Sequence, residues 1–178
     1  VAGRNISATH VAFSSTRVMA TCALVGQAAG TAAAIALRSG ASRTGDLVGS
    51  PLIDEIQQAL LRDGAYLIGL ANADPRDKAR SARVSASAET EDGAAAQATN
   101  GVTRATFPDL HPSLAQATNR WTSSTLPAWI ELRWDTPQTI SEVHLTFDTG
   151  FQRELTLTMS ERFSAKMVRG PQPETVRD

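Results

Sequence analysis

The chain has 178 residues, of which 42% are hydrophobic, and a formal net charge of −1 at pH 7. This charge balance favours neither a nucleic acid nor an anionic membrane as a partner, and the length is enough for one domain or two small ones. The single cysteine, Cys22, excludes an internal disulfide and a zinc site made from several cysteines.

The first predicted elements are a strand end with a glycine turn at residues 1–5 and one long helix that includes residues 14–34. Gly26 and Gly30 lie on one face of this helix. Because a glycine inside a helix costs about 1 kcal/mol relative to alanine, we expect a sheet, another backbone or a cofactor to approach closely there. A strand, a glycine turn and a helix typically bring backbone amides to a nucleotide-like ligand.

The most apolar stretch of the chain lies within this helix, at residues 18–37. It is interrupted by threonine, glutamine and glycine, and no uninterrupted apolar run reaches the roughly 18 residues of a membrane span. The sequence therefore predicts no membrane span.

Three spaced motifs carry a resemblance to a known family. They are Gly-Arg-Asn-Ile-Ser-Ala-Thr-His at residues 3–10, Ser-Thr-Arg-Val-Met at 15–19, and Gly-Gln-Ala-Ala-Gly-Thr-Ala-Ala-Ala at 26–34. Together they resemble the C-terminal flavin-contacting segment of FAD-dependent oxidoreductases, and most closely a bacterial family of them. The resemblance implies FAD as cofactor and flavin-mediated redox of a small-molecule substrate. Without the motifs, the helix alone is more typical of a buried helix in an unrelated fold.

Flavoproteins of this kind bind the ADP half of FAD with an N-terminal strand and a G-x-G-x-x-G loop. The 178 residues contain no such motif. We therefore expect the chain to be a piece of a longer polypeptide, and to be inactive by itself.

The resemblance also assigns cofactor-binding residues. Gly3 and Arg4 would lie near the ribityl chain, and the start of the long helix would direct its free amides at the pyrimidine edge of the flavin. The residues expected near that edge are Ser15, Thr16, Arg17 and Val18. Gly26 and Gly30 would permit close helix packing without touching FAD.

Two residues are candidates for catalysis. Arg17 would stabilise the negative charge that develops when the flavin is reduced, and His10, in the loop before the helix, would act on substrate as an acid or base. Each has an alternative: Arg17 as a structural ion-pair partner, and His10 as a hydrogen-bonding structural residue.

A second helix is predicted just before residue 64. Ser50 is its candidate N-cap and Pro51 its first residue, and Gly64 is the left-handed residue that ends it. An apolar stripe at helical spacing gives it a buried face: Ile53, Ile56, Leu60 and Leu61.

The following segment, residues 71–82, is polar and charged and is predicted to be a linker. The hydrophobic period then changes to two, with strands predicted at 83–89, 129–134, 139–147 and 153–159, which is typical of an all-β sandwich. The predicted domains are therefore residues 1–70, the linker 71–82, and residues 83–178.

The second half resembles the galactose-binding-like jelly rolls, which include the discoidin or coagulation factor type C modules. The motifs that carry this resemblance are Val-Ser-Ala-Ser at 84–87, Ala-Thr-Asn-Gly-Val at 98–102, Asn-Arg-Trp-Thr-Ser at 119–123, Pro-Ala-Trp-Ile-Glu-Leu at 127–132 and Ile-Ser-Glu-Val at 140–143. Asn100 stands where that family often has an acidic residue beside a calcium loop, so no metal is predicted. The expected fold class is thus an α+β fragment, a helical C-terminal segment of an FAD-binding α/β domain followed by an incomplete jelly-roll-like sandwich.

The β half leaves two other functions open. One is a carbohydrate- or surface-binding module without catalysis of its own, with Trp121 as a candidate sugar platform and packing under a loop as the alternative for that residue. The other is a structural interaction domain without a ligand.

Overall fold

The computed structural model describes residues 2–41, 43–103, 119–147 and 160–165. It divides into two compact units, Val1–Asp135 and Thr136–Asp178, which are considered separately. The α-helices are α1 (His10–Thr16), α2 (Met19–Ser39), α3 (Leu52–Arg62) and α4 (Glu161–Ser164), and the strands are β1 (Arg83–Ala86) and β2 (Ile130–Arg133). Short 3₁₀ helices occupy Gly3–Asn5, Thr44–Leu47, Lys78–Ser81 and Ala95–Thr99.

The single helix predicted over residues 14–34 is wrong, because the chain forms two helices there. Val18 is extended, with φ −68° and ψ 149°, and separates α1 from α2. Near the end of α1, Ser14 Oγ donates to the carbonyl of Val11 and Thr16 Oγ1 to that of Ala12. Side-chain bonds of this kind compete with continued helix hydrogen bonding, and α1 ends at Thr16.

The start and end of α3 follow the predicted signals closely. Ser50 Oγ accepts from the Leu52 N–H at 3.3 Å, and Gly64 adopts φ +81° after the last turn. The Ala65 N–H then donates to the Leu60 carbonyl, as expected for a Schellman-type end. Pro51 is the N-cap and not the first helical residue.

The apolar core lies between α2 and α3. Its buried members are Ile35, Ala36, Leu47, Ile56, Leu60 and Ala65. Leu61 is buried as well, whereas Ile53, which the predicted stripe also included, is 38% exposed. The buried residues of α2 are Ile35 and Ala36, and Ala28 and Ala32 pack against the cluster, so the first turns of the helix contribute none of these core residues.

By length and composition alone α2 could cross a membrane, and little of it is buried. One such helix is weak support for a span, because core helices and signal sequences pass the same test of length and hydropathy. The predicted lack of a membrane span stays a prediction.

The strands form an antiparallel two-stranded sheet in which Val84 lies opposite Leu132 and Ala86 opposite Ile130. The predicted strand at 139–147 forms no ladder with the part of the chain that the structure describes, and it stays a prediction. A strand requires a partner for its backbone groups. The strand predicted at 153–159 lies outside the described residues, and the jelly-roll sandwich stays a prediction.

For the following sections, residues 2–70 are called the helical region, residues 71–82 the joint segment, and residues 83–103 with 119–135 the β-region. All three belong to the first compact unit. The domain boundaries inferred from the sequence stay a prediction.

Candidate functional site

The predicted cofactor-binding residues fall into two places in the helical region. Gly3 and Arg4 belong to the 3₁₀ turn Gly3–Asn5, which lies beside α2. Gly3 has φ +84°, a conformation that a residue with a side chain adopts only with strain. The glycine turn predicted from the sequence is therefore present, and it packs next to α2.

The second place is the junction between α1 and α2. Ser15 and Thr16 end α1, and Arg17 is its C-cap, with its N–H directed to the Phe13 carbonyl at 3.1 Å. Val18 follows as the N-cap of α2. Four predicted cofactor contacts thus occupy one short turn between two helices.

The N-terminus of α2 is open. Val18 has no side-chain oxygen to accept a hydrogen bond, and no side-chain cap is formed within the described part of the chain. The first internal bond of the helix runs from the Cys22 N–H to the Val18 carbonyl at 3.0 Å, which leaves the amides of Met19, Ala20 and Thr21 without an intrahelical acceptor. Together with the helix dipole, about half an elementary charge at this end, they favour a negatively charged neighbour.

The N-terminus of α1 differs in this respect. Thr9 Oγ1 accepts from the Ala12 N–H at 3.3 Å and so caps the helix. The two helices follow each other in sequence. A hydroxyl caps the start of α1, whereas the backbone amides at the start of α2 have no side-chain cap. The break at Val18, which creates the available one, was not predicted from the sequence.

Arg17 and His10 are both exposed. Among the described residues, Arg17 forms no ion pair and the His10 side chain forms no hydrogen bond, so neither structural alternative is observed there. His10 is the first residue of α1 and not, as predicted, a loop residue before the helix, and Arg17 is the C-cap seven positions later, about 10 Å along the helix axis. This spacing directs them to the same side of the helix.

Exposed apolar side chains occur in α1, at the start of α2 and in its second turn. Met19 is 89% exposed and Leu24 is 58% exposed, and Val11 and Val18 are also exposed. A Cβ built on Gly26 or on Gly30 would meet no atom within 4 Å. The close contact expected at these glycines is therefore not made by the described residues.

Cys22 is half-buried, and its thiol lies 3.7 Å from the Thr16 carbonyl. In the described residues, no group of three His, Cys, Asp or Glu side chains is arranged to hold a metal. The α1–α2 junction presents backbone amides, hydroxyls, the Cys22 thiol and Arg17, and His10 lies at the other end of α1.

In the β-region, the Trp121 indole N–H donates to the Ala88 carbonyl at 2.9 Å, which holds the half-buried ring in place. Trp129 is 54% exposed, and the Trp134 indole N–H donates to the Lys78 carbonyl at 2.9 Å. Asn100 Oδ1 accepts from the Val102 N–H. These contacts give Trp121, Trp134 and Asn100 structural roles, and carbohydrate binding by the β-region stays a prediction.

Sequence reasoning missed a set of polar residues that connect the helical region to the β-region. This hydrogen-bonded group consists of the side chains of Gln58, Asn72, Asp74 and Arg76 and the backbone of residues 71–73 and Gly101. The only signal in the sequence is the run Asn-Ala-Asp-Pro-Arg-Asp at 72–77, which is rich in residues that bond their own backbone. Its partners lie far away in the chain, and composition does not reveal them.

Comparison with known proteins matches the two halves of the chain to different families. Residues 1–60 match the family model described as FAD dependent oxidoreductase. Residues 77–161 match a domain of unknown function, DUF7402. No curated protein and no solved structure matches the chain.

The first match agrees with the prediction from the three motifs and supports a flavin redox fragment in the N-terminal third of the chain. The second match is to an uncharacterised domain and does not test the resemblance to galactose-binding-like modules. The substrate is identified by neither match.

Proposed function

We propose that residues 2–60 supply part of the flavin site of an FAD-dependent oxidoreductase, within a longer polypeptide. The observation that carries the proposal is the open N-terminus of α2, next to Arg17, inside the segment that matches the FAD dependent oxidoreductase model. FAD would supply the redox chemistry, by accepting electrons from a small-molecule substrate. The residues of this chain would hold and polarise it.

The α1–α2 turn would supply the electrostatic stabilisation of the flavin. The start of α2 presents the free amides of Met19, Ala20 and Thr21, together with the positive end of the helix dipole. Arg17 adds a full positive charge one residue before the N-cap. This end of α2 would therefore stabilise negative charge at the pyrimidine edge of the flavin, and the side chains of Ser15 and Thr16 would add hydroxyl groups there.

The turn at Gly3 and Arg4 would contact the ribityl chain. It lies beside α2, and the positive φ of Gly3 keeps a side chain from that position. A backbone without a Cβ permits close approach of a ligand, and the exposed Arg4 is free to contact polar groups of the cofactor.

His10 is proposed as the residue that exchanges a proton with substrate. It is exposed on the same side of α1 as Arg17. A histidine ring can donate or accept a proton near neutral pH. Arg17 would then serve the cofactor and His10 the substrate.

The uncovered part of α2 supports placement within a larger flavin domain. Gly26 and Gly30 leave room on a helix whose N-terminal half is apolar and exposed. Soluble proteins rarely leave such a face in water. We propose that another part of the flavin domain packs there.

Two measurements test the proposal together. The full-length product of the gene that encodes this chain should purify with bound FAD, detected by its flavin absorption. Residues 1–178 alone, titrated with FAD and followed by flavin fluorescence quenching, should not bind it stoichiometrically at micromolar concentration. The adenine and pyrophosphate contacts would come from a dinucleotide-binding motif that these residues do not contain.

Each arm can contradict the proposal. A full-length protein that is colourless and takes up no added FAD would show that this protein does not bind FAD despite the family match. Stoichiometric binding by residues 1–178 would show that they hold a complete site, contrary to the proposed fragment.

A further inference from the structure

We infer that the joint segment is a rigid joint that fixes the β-region to α3, and not a flexible tether between two independent modules. The inference is independent of the flavin proposal. It concerns the connection between the parts of the chain that match two different family models. That connection is made by hydrogen bonds of residues 71–73 with the side chain of Gln58 and with the carbonyl of Gly101.

Residues 71–73 lie between the two regions and bond to both. Gln58, on α3, donates from Nε2 to the Ala71 carbonyl at 3.3 Å and accepts at Oε1 from the Ala73 N–H at 2.6 Å. The Asn72 N–H between them donates to the Gly101 carbonyl at 2.7 Å. One short segment thus bonds the helical region through residues 71 and 73 and the β-region through residue 72.

The contact at Gly101 is too close for any side chain. A Cβ at this position would lie 2.7 Å from the Asn72 carbonyl oxygen and 3.1 Å from Arg80 Nε. Gly101 also has φ +84°. The backbones at residues 72 and 101 are therefore packed directly against each other.

The joint segment is also stiffened from within. Asn72 accepts at Oδ1 from the Asp74 N–H and donates from Nδ2 to Asp77 Oδ2 at 2.6 Å. Asp77 Oδ1 in turn caps the 3₁₀ helix Lys78–Ser81 by accepting from the Ala79 N–H. At its far end the segment is attached to the end of β2, where the Trp134 indole N–H donates to the Lys78 carbonyl.

Among the described residues, no apolar core cluster spans the helical region and the β-region. The core cluster and the apolar residues packed on it lie within residues 28–67, and Ala95 is the only buried hydrophobic residue of the β-region that the structure describes. The polar contacts of the joint segment are therefore what sets the orientation of the β-region. A ligand of the β-region would be held at a fixed place relative to α3.

A distance measurement across the joint tests this. In a Cys22→Ser background, Ser39→Cys and Glu91→Cys place one exposed label in the helical region and one in the β-region. Double electron–electron resonance on the whole chain should give one narrow distance distribution. Combining Gln58→Ala with Gly101→Ala should broaden it, because the bonds on both sides of residues 71–73 are lost.

The matched control combines Gln57→Ala with Gly64→Ala. Gln57 adjoins Gln58, and its side chain makes no hydrogen bond with the residues that the structure describes. Gly64 has φ +81° like Gly101, but a Cβ there would meet nothing within 4 Å. The control variant carries the same backbone strain and should keep the narrow distribution.

A second readout covers the case in which the joint variant does not fold. In Gln58→Ala alone, amide hydrogen exchange at Ala73 should accelerate by at least about tenfold, and exchange of the α3 core amides should stay as it was. A broad distance distribution in the labelled parent chain would overturn the inference. So would a narrow one in the folded joint variant, or unchanged exchange at Ala73.

Discussion

Asp74 is held by Arg76 through four hydrogen bonds within one turn. Arg76 Nε donates to both carboxylate oxygens at 2.9 and 3.0 Å, Nη2 donates to Oδ2 at 2.6 Å, and the Arg76 N–H donates to Oδ1 at 2.9 Å. Asp74 is only 8% exposed, and it is the buried charged residue of the described chain. The arginine lowers the pKa of this carboxyl from 3.8 to about 2.

This pKa shift predicts an acid-sensitive contribution to stability. The folded pKa lies below the unfolded one, so the stabilisation is fully present above about pH 4 and is lost as the pH falls towards 2. Because the Arg76 side chain is largely exposed, solvent screens the pair, and we expect a contribution on the order of 1 kcal/mol. Urea unfolding of the chain at pH 7 and pH 2.5 measures it.

Asp74→Asn should remove that part of the pH dependence, since the amide does not titrate. The exposed Asp63, 3.8 Å from Arg62, provides the control substitution Asp63→Asn. Equal loss of stability at low pH in wild type and Asp74→Asn would show that the Asp74–Arg76 pair does not contribute.

The core between α2 and α3 should dominate the stability of the helical region. Leu60 is 5% exposed and belongs to the core cluster with Ile35 and Leu47. Leu60→Ala should lower the free energy of unfolding by about 2–5 kcal/mol, because it removes buried methyl groups and leaves a cavity. Ile53→Ala on the exposed side of α3 should cost less than half as much, and equal costs at both positions would contradict the assigned core.

How much the sequence predicts depends on whether the signals are local. The boundaries of α3 were predictable because Ser50 and Gly64 act on backbone groups within a few residues. The break at Val18 was not, because the small-residue pattern continues across it and the hydroxyls of Ser14 and Thr16 compete with the helix without changing that pattern.

The hydrogen-bond partners of the joint segment could not be predicted from local signals. Its polar composition is that of a linker, yet its partners are Gln58 and Gly101, which are distant in sequence. The candidate site was predictable only in part. The motifs predict Arg17 and its neighbours at the start of a helix, and the structure places them between α1 and α2, whereas the open helix end beside them becomes visible only once Val18 is seen to be the N-cap.

The glycines of α2 distinguish the isolated chain from a larger flavin domain. In residues 1–178 alone, Gly26→Ala should stabilise the chain by up to about 1 kcal/mol, because alanine favours the helix and its Cβ meets no atom within 4 Å. In the full-length protein we expect the reverse, since the added methyl group would enter a packed contact. Thermal unfolding of both proteins makes the comparison.

Gly40→Ala is the control for that experiment. Gly40 ends α2 with φ +71°, so alanine there should destabilise both proteins by about 1 kcal/mol. If Gly26→Ala stabilised the full-length protein as well, the proposed packing of α2 against another part of the flavin domain would be wrong.

Arg17 should affect the reduction potential of the flavin in the full-length, FAD-containing protein. Arg17→Ala removes a positive charge beside the open end of α2, and negative charge on the reduced cofactor should become less stable. A loss of about 1.4 kcal/mol corresponds to a fall of about 30 mV for a two-electron couple. We expect a reduction potential lower by about that amount and slower substrate oxidation. Spectroelectrochemical titration and stopped-flow reduction measure these two quantities.

Arg38→Ala is the matched control, because it removes the same charge from the opposite end of α2, about 30 Å away along the helix axis. Arg38 pairs with Glu55 at 2.8 Å on the surface, so its loss should leave the potential unchanged. A potential that is insensitive to both substitutions would remove Arg17 from the flavin site while leaving the rest of the proposal standing. An equal fall in both variants would instead indicate a long-range charge effect, and the specific role of the α1–α2 turn would then be wrong.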